Sequence, residues 1–148
     1  MEIVTRSPGN QKEWDAYYDL RYRVLREPWK RPRGSERNSG DTSALHFATY
    51  LGSELKAIAR ADVIDYKQIQ IRFVATENGQ QGKGYGKRVM LSIENHFKDS
   101  QIKELILQSR ENSVKFYESL GYAVKEKTYL LFNEIQHFLM IKLINHES

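Results

Sequence analysis

Two different periods of apolar and polar residues run along the chain, and the points where one gives way to the other outline its elements. Ile3–Arg6 reads as a short strand closed by Ser7-Pro8-Gly9. Asn10 then suits a helix N-cap, and Trp14, Tyr17, Tyr18, Arg21, Tyr22 and Leu25 recur at helical spacing. From Glu27 to Thr42 the pattern is lost, with Pro28, Pro32, Gly34 and Gly40 set among Lys30, Arg31, Arg33 and Arg37. An irregular stretch of that length in a compact domain is expected to be a functional loop or partly disordered.

Beyond it the spacing becomes that of strands. Ala44–Tyr50, Glu54–Ile64 and Gln68–Thr76 are separated by turns at Leu51-Gly52-Ser53 and Asp65-Tyr66-Lys67, the second turn making a hairpin. In the last strand Ile69, Ile71, Phe73 and Ala75 alternate with Gln70, Arg72 and Val74, the period-2 pattern of one buried face. Glu77–Gly86 is a loop rich in Gly, Asn, Gln and Lys. Val89, Ile93 and Phe97 then predict an amphipathic helix ending near Asp99. A strand over Glu104–Gln108 and a short helix over Asn112–Leu120, stopped by Gly121, come next. Strands over Tyr122–Lys127 and His137–Ile144 flank a loop near Asn133. No repeat, low-complexity tract or linker divides the chain. One domain over residues 1–148 is expected, of the α/β (α+β) class with a mixed sheet.

Composition narrows the function classes. A chain of 148 residues, 40% hydrophobic and 28% charged, suits one soluble domain. No apolar run approaches the roughly 20 residues of a membrane span. Met1–Arg6 lacks the apolar stretch of a signal peptide, so a cytoplasmic location is expected. With no cysteine there is no disulfide, Cys-ligated zinc, Fe–S cluster or thiol nucleophile. The four scattered histidines offer no metal site. A net charge of +4 suits an anionic ligand. Acidic residues are interspersed with the basic ones, so nucleic-acid binding is not expected.

The chemistry concentrates in Gln81-Gly82-Lys83-Gly84-Tyr85-Gly86-Lys87-Arg88, between a strand and a helix. Glycine adopts positive φ and lets an anion approach the backbone. Successive amides, with the unpaired N–H groups of the helix's first turn, form a nest for phosphate oxygens. Spacing excludes two phosphate motifs. A Walker A loop needs one more residue between Gly82 and Gly86 and a hydroxyl at Arg88, and the dinucleotide fingerprint needs glycine at Lys87.

Ile71-Arg72-Phe73-Val74-Ala75-Thr76 followed by Gln81–Lys87 resembles the acetyl-CoA signature of the GNAT N-acetyltransferase superfamily. Asn112-Ser113-Val114-Lys115-Phe116-Tyr117-Glu118-Ser119-Leu120-Gly121-Tyr122 resembles that family's second motif, with Val114 and Tyr122 as departures. The resemblance covers about Leu45 to Leu143. It implies a mostly antiparallel sheet of about six to seven strands flanked by about four helices. It also implies acetyl transfer from acetyl-CoA to a primary amine of a small molecule or peptide, by direct attack in a ternary complex. The alternative is a GNAT-like module that holds CoA without catalysis.

In that family the strand before the loop is bulged. Carried over, Phe73, Val74, Ala75 and Thr76 offer backbone to the pantetheine arm, with the Val74 amide as an oxyanion donor. Gln81, Gly82, Lys83, Gly84, Tyr85, Gly86 and Lys87 hold the pyrophosphate. Asn112 falls where a side chain bonds the pantetheine, although it also suits a helix N-cap. Tyr117 is the candidate general acid, because a phenol of pKa near 10 stays protonated at neutral pH and can protonate a thiolate. The family has no fixed base. Glu134 and His137 are the candidates for base or substrate contacts, with a solvated loop carboxylate and a strand histidine as the plainer readings. His46 is expected to be structural, and His96 and His146 to lie on the surface. The Arg26–Arg37 segment, with Trp29, corresponds to a region that often lines the acceptor site. It would suit an acidic or phosphorylated acceptor, or be a solvated basic loop. Dimers are common in the family, and nothing in this sequence indicates one.

Overall fold

The computed structural model describes residues 1–145, so His146 lies outside the described residues. Seven strands, β1 (Ile3–Arg6), β2 (Leu45–Leu51), β3 (Glu54–Val63), β4 (Gln68–Thr76), β5 (Glu104–Arg110), β6 (Ala123–Leu131) and β7 (Ile135–Leu143), alternate with three α-helices. The helices are α1 (Gln11–Leu25), α2 (Tyr85–Phe97) and α3 (Val114–Ser119). Strand order is β1-β2-β3-β4-β5-β7-β6, antiparallel at β1–β2, β2–β3, β5–β7 and β6–β7 and parallel at β4–β5. The mixed, mostly antiparallel sheet is the one expected. Three helices stand where about four were anticipated, because Pro28, Pro32, Gly34 and Gly40 keep residues 27–42 from closing a regular helix. Only two 3-10 turns form there, Glu27–Trp29 and Ser39–Thr42. None of the described helices is long and apolar enough to cross a membrane.

The chain folds as two compact units, Met1–Asp62 with Phe73–His96, and Val63–Arg72 with the chain from Phe97 on. In the first, Asn10 caps α1 by accepting the Glu13 N–H at 2.9 Å. Helical spacing then presents Tyr17, Leu20 and Leu25 to Ala48, Tyr50, Ile58 and Ala75 of the sheet. Strand β2 is buried without interruption from His46 to Tyr50, as a strand covered on both faces must be. At its outer end Glu13 takes two hydrogen bonds from Arg6, at 2.8 and 2.7 Å, and one from Gly9 N–H at 2.8 Å. The Arg6 guanidinium and that amide hold the Glu13 carboxyl at a pKa of about 2. The stabilisation is therefore complete above the ordinary carboxylate range and is lost as pH falls through about 2. NMR titration of the Glu13 side chain is expected to give this value, and Arg6→Ala to return it toward the ordinary range.

In the second unit β5 alternates buried Leu105, Leu107 and Ser109 with half-buried neighbours. The parallel β4–β5 ladder runs from Gln68–Glu104 to Ile71–Leu107. Strand β5 continues two residues beyond the expected end, and β6 reaches Leu131, because both pair with β7. Phe132 and Asn133, both at positive φ, close the β6–β7 hairpin. Gly121 ends α3 at φ +97, as its position implied.

Candidate active site

Helix α2 begins at Tyr85, inside the expected loop Glu77–Gly86, so Gly86 and Lys87 lie in its first turn. Its first intrahelical bond runs from Arg88 N–H to Gly84 O at 3.0 Å. The N–H groups of Tyr85, Gly86 and Lys87 therefore have no intrahelical acceptor. Ahead of them Gly82 and Gly84 stand at φ +79 and +88, and a Cβ at either would meet nothing within 4 Å. The glycines are thus required by backbone conformation, and the space beside them is open. Gln81, Gly82, Lys83 and Gly84 are exposed. Gln81 is turned inward along the loop, its side chain accepting from Gly79 N–H at 3.1 Å. Tyr85 is buried, with Lys56 5.9 Å from its ring centroid, so only its backbone is placed for an anion. The loop's entry is pinned. Glu77 receives two bonds from Arg23 of α1, at 2.6 and 2.8 Å, which hold its carboxyl below the usual range.

The end of β4 departs from the simple alternation. Phe73 has φ +54, a left-handed conformation that costs a bulky L-residue on the order of 1–2 kcal/mol. Its half-buried ring faces three guanidinium groups, those of Arg21, Arg60 and Arg26, at 4.2, 5.2 and 5.7 Å from the centroid. Arg21 is wholly buried and Arg60 is 2% exposed. Asp41 bridges them, accepting from Arg21 at 2.9 Å and from Arg60 at 3.0 Å. Burial opposes the charge on Asp41, but the Asn38 N–H and Arg21 outweigh it and hold the carboxyl below the usual range. Asp62 takes two further bonds from Arg60, at 2.7 and 2.8 Å. His46 is structural, as expected. Its Nε2–H donates to Asp41 O at 2.8 Å, so Nδ1 accepts from the Tyr17 hydroxyl, also at 2.8 Å.

The basic segment does not present its arginines as a free cationic face. Arg33 pairs with Asp19 at 2.8 Å and lies over Tyr22, and Arg37 pairs with Glu36 at 3.2 Å and lies 3.9 Å above Tyr18. Arg26 donates to the carbonyls of Ser35 and Leu25. Between the segment and α1 opens a cavity of about 550 Å³ lined by Asp15, Tyr18, Asp19, Arg33, Glu36 and Arg37. Its charges are of both signs, so the arrangement gives an acidic or phosphorylated acceptor no preference over a cationic one.

In the second unit Tyr117 is buried in α3, edge-on to Phe116 and Tyr122 at 5.0 and 6.0 Å. Burial pushes its phenol well above the ordinary range, while Arg110 pulls weakly the other way. Its hydroxyl has no hydrogen-bond partner among the described residues. Asn112 is not a helix N-cap. It lies inside a 3-10 turn, Glu111–Ser113, because the residues ahead of α3 close a tighter turn first, and Ser113 occupies the cap position. Its exposed side chain accepts only a long bond, 3.4 Å, from the Ser113 hydroxyl. His137 is buried, opposite Arg110 in the β5–β7 ladder, and stacks on Tyr129 at 4.5 Å. Its Nδ1–H donates to Ile135 O at 2.9 Å, which places the basic lone pair of the neutral ring on Nε2. Glu134 is exposed in the hairpin turn. His96 is exposed and touches Phe47. Among the described residues no cluster of three or more His, Cys, Asp or Glu could hold a metal ion.

Glu77, Arg60 and Asp41 stand in no motif of the sequence, although the fold gathers them with Arg21 around the loop entry and Phe73. The one signal for them was Arg21, which interrupts an apolar helical stripe where a charge has to be paired.

Fold and motifs together define an acetyltransferase of the GNAT class. The family model described as an acetyltransferase (GNAT) domain matches residues 32–144, and the chain belongs to that family. Among solved structures, an aminoglycoside 6'-N-acetyltransferase complexed with coenzyme A is similar over 100% of this chain and 99% of its own, with 16% identity and a TM-score of 0.80. A GNAT family acetyltransferase from Elizabethkingia anophelis with acetyl-CoA bound matches over 97% of each chain at 14% identity and TM-score 0.74. The ribosomal-protein-S18-alanine N-acetyltransferase from Escherichia coli matches over 99% of this chain and 97% of its own, at 15% identity and TM-score 0.76. At these identities the likeness establishes the fold.

Proposed function

We propose that the protein is an acetyl-CoA-dependent N-acetyltransferase, acting as a single cytoplasmic domain on a primary amine of a small molecule or peptide. The observation that carries this reading is the loop of Gly82 and Gly84. Two left-handed glycines lead into the first turn of α2, after a strand kinked at Phe73. The residues fit a diphosphate: the backbone N–H groups of Gly82–Lys87 would hold it, with Lys83 and Lys87 adding charge. Val74, Ala75 and Thr76 would bond the pantetheine amides through their main chain. The coenzyme supplies the acetyl group as a thioester, activated toward an amine.

The roles of the chain's own residues follow from the chemistry. The Val74 N–H stabilises the negative charge that develops on the thioester oxygen as the amine nitrogen bonds to the carbonyl carbon. As the C–S bond breaks, Tyr117 delivers its proton to the departing sulfur. The ammonium form of the acceptor has to lose a proton before attack. Glu134 and His137 are the candidates to receive it or to contact the acceptor, Glu134 exposed in the hairpin turn and His137 with its tautomer set by the Ile135 carbonyl. Asn112, exposed and outside any helix cap, is available to the pantetheine.

Purified protein given acetyl-CoA and a panel of polyamines, amino acids, aminoglycosides and peptides is expected to release CoA thiol with at least one of them. Thermal stabilisation by acetyl-CoA without thiol release on any amine would leave a CoA-binding module. The absence of both would overturn the reading.

A further inference from the structure

Phe73 combines two features that each need an explanation. It is a bulky residue held in a left-handed backbone conformation, in the middle of a strand. Its ring is also the common neighbour of three cations, two of them buried. Strain of this kind persists only where the surroundings over-determine it. Arg21 and Arg60 come from α1 and β3, and Asp41, from a 3-10 turn, locks them together. Arg60 is fastened further by Asp62 and by the Asn38 side chain at 2.7 Å. Guanidinium planes prefer to lie against aromatic faces, more strongly where water is excluded. A leucine at this position would fill similar space but give the three cations no π face.

From this arrangement we propose that Phe73, gripped by Arg21 and Arg60 with Arg26 at the edge, is a positioning residue for acetyl transfer. It fixes the left-handed step that turns the next amide, that of Val74, toward the thioester oxygen. The inference rests on the role of Val74 given above and adds what holds that amide in place. It makes the arginine pair part of the catalytic scaffold, although neither arginine needs to touch substrate. The pair can be buried at all because Asp41 and Asp62 neutralise it within the same unit.

The test compares Phe73→Leu with Phe73→Tyr in two arms. In the first, residual dipolar couplings of the apo protein report φ at residue 73. A positive φ is expected in the wild type and Phe73→Tyr, and an extended φ in Phe73→Leu. In the second, the carbonyl ¹³C shift of bound [1-¹³C]acetyl-CoA and the steady-state constants are measured. Phe73→Leu should move the carbonyl signal toward its free value and lower kcat about thirtyfold, the scale of one desolvated cation–π contact. Its KM for acetyl-CoA should stay within about twofold, and Phe73→Tyr should recover most of the loss. A merely structural role would lower melting temperature without a selective change in kcat or carbonyl shift. Phe73→Leu that keeps both kcat and the carbonyl shift overturns the proposal. So does a wild type whose carbonyl signal does not move on binding, which would in addition remove Val74 as oxyanion donor. A lost left-handed φ with an unchanged carbonyl shift removes only the positioning role. If Phe73→Leu does not fold, Arg21→Lys serves in its place, keeping the charge while losing the planar stacking.

Discussion

Tyr117→Phe is expected to lower kcat by about 10²-fold or more while changing acetyl-CoA affinity by less than about twofold, since general-acid assistance typically contributes on that scale. The substitution is unusually clean here. The ring packs edge-on between Phe116 and Tyr122, and phenylalanine keeps those contacts. The hydroxyl spends no hydrogen bond on another described residue, so its removal leaves no buried partner unsatisfied. What is lost is a proton for the leaving sulfur. Burial raises the phenol's pKa from its ordinary value near 10, so the protonated form persists through neutral and mildly alkaline pH. The kcat profile should therefore rise as the acceptor amine deprotonates, with any descending limb from Tyr117 above pH 10. Stopped-flow thiol detection across pH checks both statements. Wild-type turnover in Tyr117→Phe would remove the general-acid assignment.

Gly84→Ala should weaken acetyl-CoA binding by roughly tenfold, and the double change Gly82→Ala, Gly84→Ala by more. At φ +88 an alanine is strained by on the order of 1–2 kcal/mol, which relaxes by turning the backbone and with it the amides proposed to bind the diphosphate. A Cβ there meets nothing within 4 Å, so the loss cannot come from a clash inside the protein. Gly79→Ala supplies the control. Gly79 sits at φ +78 with equal space around it, outside the proposed diphosphate segment, and should leave affinity nearly unchanged. Isothermal titration calorimetry on the three variants decides the matter. Equal loss in Gly79→Ala would point to general loop disorder, and no loss in Gly84→Ala would remove the loop from the site.

These predictions draw on features of different legibility. The glycine loop proposed for a diphosphate could be read as a positive-φ turn, since glycine meets that requirement whatever the rest of the chain does. Tyr117 was legible through its motif, but its burial and lack of a hydrogen-bond partner were not. Asn112 misled in one respect, because asparagine before a helical stretch suggests a cap, whereas a 3-10 turn intervenes and leaves its side chain exposed. The basic segment left two readings open. A run of arginines reads as a free cationic face until the folded chain brings Asp19 of α1 against Arg33 and lays Arg37 over Tyr18.

The order of strands and helices, the glycine loop ahead of α2 and the family itself were determined by the sequence alone, because hydrophobic period and glycine conformation are local properties. The resemblance implied a bulge in the strand before the loop, but the left-handed residue at Phe73 could not be placed, since its position in a period-2 pattern predicts ordinary strand. In the proposal above that conformation is held by the stacking of Arg21 and Arg60 on the ring, two residues far apart in sequence that Asp41 pairs with in the folded chain. Only the folded chain could decide that pairing, because it joins side chains brought together from α1, a 3-10 turn and β3.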